Sequence, residues 1–462
     1  MKLEYVMRIG IYFKLVLAIS LLVASSEASG PPFSLTDSDP TSQEFRRNYL
    51  GSYGINAAIE PRLQPEDRET YDAVLPHLNS DLEEAIRILV DWVEPESNAA
   101  FNFLLGSLYY MKERMDESEI ELKLAIEKHP SFRRAHRTLA LVYAQREDVP
   151  KVIEHLLKVV ALGGGDGQSY GMLGYGYLRE ERYRSALGAY QNARVFDPDS
   201  FDYKRGEAQC LLNTRQYEQA VALYDELITD RPSKPEFWLL QGNALLALDR
   251  REETAANLEM ARSLGGETFE SLSLLANIYM QGESIGLGAE VAASSMQYAE
   301  PGDANVAIRQ LEYLTKGGFW EEASRLATAF EKWLEPKLEA NQARVFASSR
   351  AAIDFGLGRD QVGIGVLKKI LEEDPLNSTS LLLLGQHYME NKKYEETEYY
   401  YERVLSVESS RRDGLMALGQ MEVARGDFKK ALLYLRRAQE IEFEPNTQQF
   451  LDQVEQAWQS SR

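Results

Sequence analysis

Apolar positions in this chain follow two rhythms at once. Within short stretches they recur every three or four residues, the spacing that puts side chains on one face of a helix. Between stretches the pattern repeats every 34 residues, with small residues at Gly106, Ala140, Gly174, Ala208, Gly242 and Ala276. Three positions after each stands a large one: Tyr109, Tyr143, Tyr177, Leu211, Leu245 and Tyr279. Residues 167–200 show the unit most clearly. Tyr170, Leu173, Gly174 and Tyr177 share one face of a first helix; the polar run Glu180-Glu181-Arg182 makes a turn; Tyr183, Ala186, Leu187, Tyr190 and Ala193 form the stripe of a second helix. Asp197-Pro198 stops it, because proline lacks an amide and disfavours helix in the residue before it. Pro130 and Pro232 close other units in the same way.

A fixed period of this size predicts a stacked array of helical hairpins. The spacing of Tyr170, Leu173, Gly174, Tyr177, Ala186, Tyr190, Ala193 and Pro198 resembles the tetratricopeptide repeat. Leu105, Gly106, Tyr109, Leu122, Ala125 and Pro130 repeat it, as do Trp238, Gly242, Leu245, Leu258 and Ala261. The resemblance implies an all-α, right-handed α-solenoid of about nine to ten units over residues 67–445. Residues 446–462 read as a C-terminal capping helix through Phe450, Leu451, Val454 and Trp458. The phase is lost after Ala276 and returns at Ala351, Gly385 and Gly419. From 276 to 351 is 75 residues, two periods plus 7, so the register of units between about 285 and 343 stays open.

At 462 residues a globular chain would form two or three domains, but an array grows by adding units. The net charge is −21, against the basic footprint of nucleic-acid binding. The lone Cys210 excludes an intramolecular disulfide and reads as a small buried apolar side chain. Lys2, Arg8 and Lys14, the apolar run 15–24 and the small residues Ser26 and Ala28 read as a secretory signal cut after Ala28. That run falls short of the ~20 residues that span a bilayer, although adding Ile9 to Phe13 leaves an uncleaved anchor as the alternative. The expected location is therefore periplasmic. Residues 29–66 read as a polar linker followed by a segment rich in aromatics and glycine, a cap on the first unit or, as the alternative, a partner-binding strip.

Candidate chemistry is sparse. Gly167-Gln168-Ser169-Tyr170-Gly171 matches G-x-S-x-G, whose nucleophile needs a strand before it; here a glycine run precedes it and Ser169 falls in a helix, so a serine hydrolase is the remote alternative. The five histidines, His77, His129, His136, His155 and His387, contain no pair at the i, i+4 spacing of a helical zinc site. No catalytic residue, metal or cofactor is expected.

The tetratricopeptide resemblance implies a concave groove lined by the first helix of each unit. In this sequence its residues are Phe103 and Tyr110, Arg134 and Arg137, Tyr175 and Leu178, Arg205, Asn243 and Asn277. Arg134 and Arg137 suit a carboxylate, and the asparagines suit an extended peptide's backbone. The stretches FRRNYLGSYGINAAIEPRL, ESNAAFNFLLGSLYY and SFRRAHRTLALVY, within residues 45–180, resemble exported bacterial repeat proteins associated with TonB-type transport systems. That implies a periplasmic accessory role with protein or peptide partners of the cell envelope. A scaffold for exopolysaccharide export or outer-membrane assembly is the alternative.

Overall fold

The computed structural model describes residues 59–460 apart from Asn79. The expected signal segment, the linker and most of the expected N-terminal capping segment lie outside the described residues. Those described are all-α, with no strand among them. They fall into two units, divided between Gly265 and Gly266.

The first unit opens with α1 (Arg68–Val74) and α2 (Leu82–Trp92). Five hairpins follow: α3 (Ala99–Met111) with α4 (Met115–Lys128), α5 (Arg133–Gln145) with α6 (Val149–Ala161), α7 (Gly167–Arg179) with α8 (Tyr183–Phe196), α9 (Phe201–Asn213) with α10 (Tyr217–Asp230), and α11 (Pro235–Ala247) with α12 (Arg251–Ser263). Each helix packs on the next, and one buried cluster runs continuously from Val74 to Leu245. The second unit has five more: α13 (Phe269–Gln281) with α14 (Ile285–Ser295), α15 (Ala304–Lys316) with α16 (Trp320–Trp333), α17 (Ala340–Gly356) with α18 (Asp360–Glu373), α19 (Ser378–Glu390) with α20 (Tyr394–Val404), and α21 (Arg411–Arg425) with α22 (Phe428–Ile441). A single helix, α23 (Pro445–Ser460), packs on α22 through Leu451 and Val454. Each unit is thus a stack of helical hairpins.

The period has a steric cause. In four hairpins the small residue on the first helix faces a large one 16 positions later on the second: Gly106 with Leu122, Gly174 with Tyr190, Gly385 with Tyr401 and Gly419 with Leu435. A Cβ at Gly174 would stand 2.9 Å from the Tyr190 ring, and one at Gly385 would stand 2.2 Å from Tyr401. Tyr190 is also gripped from the next hairpin, where a Cβ at Gly206 would meet its ring at 2.3 Å. One aromatic therefore locks two consecutive units and is itself buried.

The turns are equally regular. Glu113, Glu147, Glu181, Arg215 and Asp249 all adopt left-handed backbone, with φ between 56° and 64°. The following amide returns to the carbonyl five residues back, as from Arg182 to Tyr177 at 2.8 Å and from Arg250 to Leu245 at 3.0 Å. This is a Schellman-type helix end, and its acceptors are the large residues of the 34-residue pattern. Left-handed backbone costs a side-chain-bearing residue about 1–2 kcal/mol, so hairpin packing overrides a local preference five times in succession.

The lost register resolves into helix starts. Those of α13, α15, α17 and α19 lie at 269, 304, 340 and 378, spaced 35, 36 and 38 residues, which distributes the seven extra over three units. Three enter connections that contain the 3-10 turns Met296–Tyr298, Pro301–Asp303 and Glu335–Lys337. Four lengthen α17, which has 17 residues where α13 and α15 have 13.

Two alanine substitutions separate packing from propensity. Gly206→Ala should lower the melting temperature followed by circular dichroism, because the added carbon overpacks Tyr190 at a cost of about 1–3 kcal/mol. Gly188→Ala, in the interior of α8 with nothing within 4 Å of its new carbon, should raise the melting temperature by removing the ~1 kcal/mol that glycine costs a helix. Equal shifts in the two variants would show that the tyrosine lock is wrongly placed.

Candidate functional site

First helices carry the residues expected to line a groove. The structure treats them in three ways. Phe103 and Tyr110 are interior: every residue of α3 is buried, and both belong to the continuous core of the first unit. Asn243 is also interior, 2% exposed, with no hydrogen-bond partner for its Nδ2. Tyr175, Leu178 and Asn277 are half-buried. Arg205 is the more open, with 38% of its side chain exposed and Asp202 at 3.3 Å. Asn277 accepts a hydrogen bond from Gln310 on α15 at 3.0 Å.

Arg134 and Arg137 occupy adjacent turns of α5 but serve different groups. Arg137 reaches forward to α7, pairing with Asp166 at 2.6 Å and donating to Gln168 at 2.9 Å. Asp166 also caps α7 by accepting from the Ser169 amide at 2.8 Å. Burial alone would raise the Asp166 carboxyl, but the Arg137 charge and the Ser169 amide outweigh it and hold the group below its ordinary value. Arg134 lies over the rings of Phe103 and Phe132, 5.4 and 6.0 Å from their centroids. Its Nε donates to a carboxylate oxygen of Glu60 at 3.0 Å. Glu60 belongs to the segment preceding α1, and Arg133 stands 3.8 Å from its other oxygen. Asn98, the cap of α3, donates to the Arg62 backbone carbonyl of the same segment at 2.7 Å. Guanidinium to carboxylate and amide to backbone carbonyl are the two contacts expected for a bound peptide.

Ser169 sits in the first turn of α7, 1% exposed, with its hydroxyl directed at the Gly164 carbonyl at 3.5 Å. The G-x-S-x-G spacing is part of a helix start, and no strand leads into it. Cys210 is fully buried, and burial pushes its thiol up to about 12, which leaves it protonated and unreactive near neutral pH.

One feature escaped the sequence reading. His136 on α5 and His155 on α6 meet with Nδ1 atoms 2.9 Å apart, and His155 stacks on Tyr143 with centroids at 5.5 Å. They are 19 residues apart. Asn102 and Glu121 are joined across α3 and α4 at the same separation. The signal was the hairpin register itself, which puts positions 16 and 19 apart face to face.

A family model for the tetratricopeptide repeat matches residues 172–235, 207–268 and 382–445. Among curated relatives, Superkiller protein 3 of Schizosaccharomyces pombe is 28% identical over 117 residues, 25% of this chain. The human protein O-mannosyl-transferase TMTC1 is 27% identical over 181 residues, 39% of this chain. The matches span only 8% and 19% of the lengths of those two proteins. Among solved structures, YrrB, a tetratricopeptide-repeat protein with an unusual peptide-binding site, is 17% identical with a TM-score of 0.37 over 41% of this chain and 96% of that one. Residues 172–268 and 382–445 thus match tetratricopeptide repeats.

The histidine pair makes acid stability a test of the α5–α6 packing. Burial, then the charge of His136, lowers His155 from 6.5 to about 4, with Lys123 and Lys151 acting in the same direction and Glu154 opposing. Burial lowers His136 as well, and Lys158 adds to the effect. As pH falls below 6.5 the unfolded chain takes protons before the folded one, so stability present above that pH is lost progressively towards pH 4. Melting temperature against pH should therefore fall less steeply across this window in His155→Gln than in the natural chain. Parallel curves would mean that the histidines are solvated.

Proposed function

We propose that this tetratricopeptide-repeat chain is a non-enzymatic scaffold that binds protein or peptide partners along its first helices. The observation that carries the reading is that these helices already hold a segment without helix or strand at Glu60 and Arg62, by side-chain contacts a foreign peptide could also make. The more open positions Tyr175, Leu178 and Arg205 extend this surface over α7 and α9. We place the protein in the periplasm, as an accessory of a TonB-type outer-membrane transport system. Supporting that placement are the basic, apolar and small-residue sequence of 1–28 and the resemblance of residues 45–180 to exported proteins of such systems. No helix among the described residues is long and apolar enough to cross a membrane.

In-cell crosslinking followed by mass spectrometry tests this. Crosslinks to an envelope protein should map to α7 and α9 and fall at least fivefold in Tyr175→Ala/Arg205→Glu, with the melting temperature unchanged. A proton-channel subunit or TonB among the crosslinked proteins supports the transport role; a polysaccharide synthase or porin in their place would favour the export scaffold. Undiminished crosslinks from second helices would move the binding surface elsewhere.

A further inference from the structure

α5 begins with two consecutive arginines, Arg133 and Arg134, and has no acidic residue in its first turn. Cations are disfavoured at that end of a helix, where the dipole is positive. In a chain of net charge −21 this is an unusual place to concentrate positive charge, and an incoming carboxylate relieves it. The structure supplies one from within. Glu60, 8% exposed, lies against Arg134, itself 13% exposed, above the Phe103–Phe132 pair whose centroids are 4.9 Å apart. Pro61 follows, buried, and steers Glu60 away from helical backbone. Arg62 then offers its carbonyl to Asn98, whose Nδ2 is also shared with Asp67 at 2.7 Å. Gln64 is extended, and the first 3-10 turn starts only at Pro65. Residues 59–64 therefore contain no regular secondary structure and are held at a carboxylate and at a backbone carbonyl.

We infer that residues 59–64 lie across α3 and α5 as a tethered peptide ligand, and that the position they fill is the recognition site for an extended acidic segment of a partner protein, which must displace them. This deepens the proposed function and rests on it only for the existence of a partner. Covalent attachment to the same chain gives the internal segment an effective concentration that a free peptide must overcome. The chain is then closed to weak acidic peptides and open to those that also engage neighbouring first helices.

The test uses the full chain and a fluorescein-labelled synthetic peptide of residues 59–66, IEPRLQPE. Fluorescence anisotropy should show at least tenfold tighter binding to Glu60→Ala than to the natural chain. A peptide carrying glutamine in place of its first glutamate should bind Glu60→Ala at least tenfold more weakly, a control that leaves the protein untouched. Adding Arg134→Gln to Glu60→Ala should abolish binding, with the melting temperature checked for each variant. Equal binding by the natural chain and Glu60→Ala, no binding to Glu60→Ala at millimolar peptide, or indifference to the peptide's glutamate would each overturn the inference. Because the probe is defined, a positive result stands even if no envelope partner crosslinks, and a negative one leaves the crosslinking result intact.

Discussion

Much of this molecule depends on pairing a small residue on one helix with a large one 16 residues later on the next. The pair fixes how closely two helix backbones approach, and so sets the geometry of the hairpins that carry it. At Gly174 and Gly385 the partner is a full aromatic ring lying against the backbone. Tyr190 goes further and lies against Gly206 of the following hairpin, which turns a contact within a unit into one between units. A hairpin alone could not bury such a ring, so the array is the smallest object in which these residues are satisfied. The strained turn residues follow from the same constraint. Glu113, Glu147 and Glu181 accept left-handed backbone because only a tight helix end returns the second helix onto the first in register.

The surface carrying the function is built by the same register. Arg134 and Arg137 differ by three positions, yet one meets the segment that precedes the array and the other meets the start of the next hairpin. Charges on first helices thereby become links between elements, and the acidic groups that receive them are largely the chain's own. The polar contacts at Glu60 and Arg62 show how such an array holds a chain without secondary structure. A guanidinium fixes a carboxylate, and a side-chain amide fixes the backbone two residues away.

The fold was legible because its determinants are periodic and local. Gly174, Tyr177 and Tyr190 announce their roles by spacing alone. Register between α13 and α19 was not legible, since the extra residues are split between connections and one additional turn of α17, each compatible with helical periodicity. The site was legible only in part. Arginine chemistry was readable at Arg134 and Arg137, but burial was not: Phe103 and Tyr110 sit at the same unit positions as Arg137 and Leu178, yet α3 is enclosed along its whole length. Glu60 and Asn98 lie outside the repeating positions, so periodicity could not single them out. His136 and His155 escaped because metal-site spacing was sought within one helix, whereas the hairpin brings together residues on two.

A double-mutant cycle of Gly174→Ala and Tyr190→Leu, followed by thermal unfolding, tests the central claim most directly. If the ring lies against the glycine, Gly174→Ala should cost far more beside tyrosine than beside leucine, giving a coupling of about 1–3 kcal/mol. Additive losses, with no coupling between the two positions, would contradict the account.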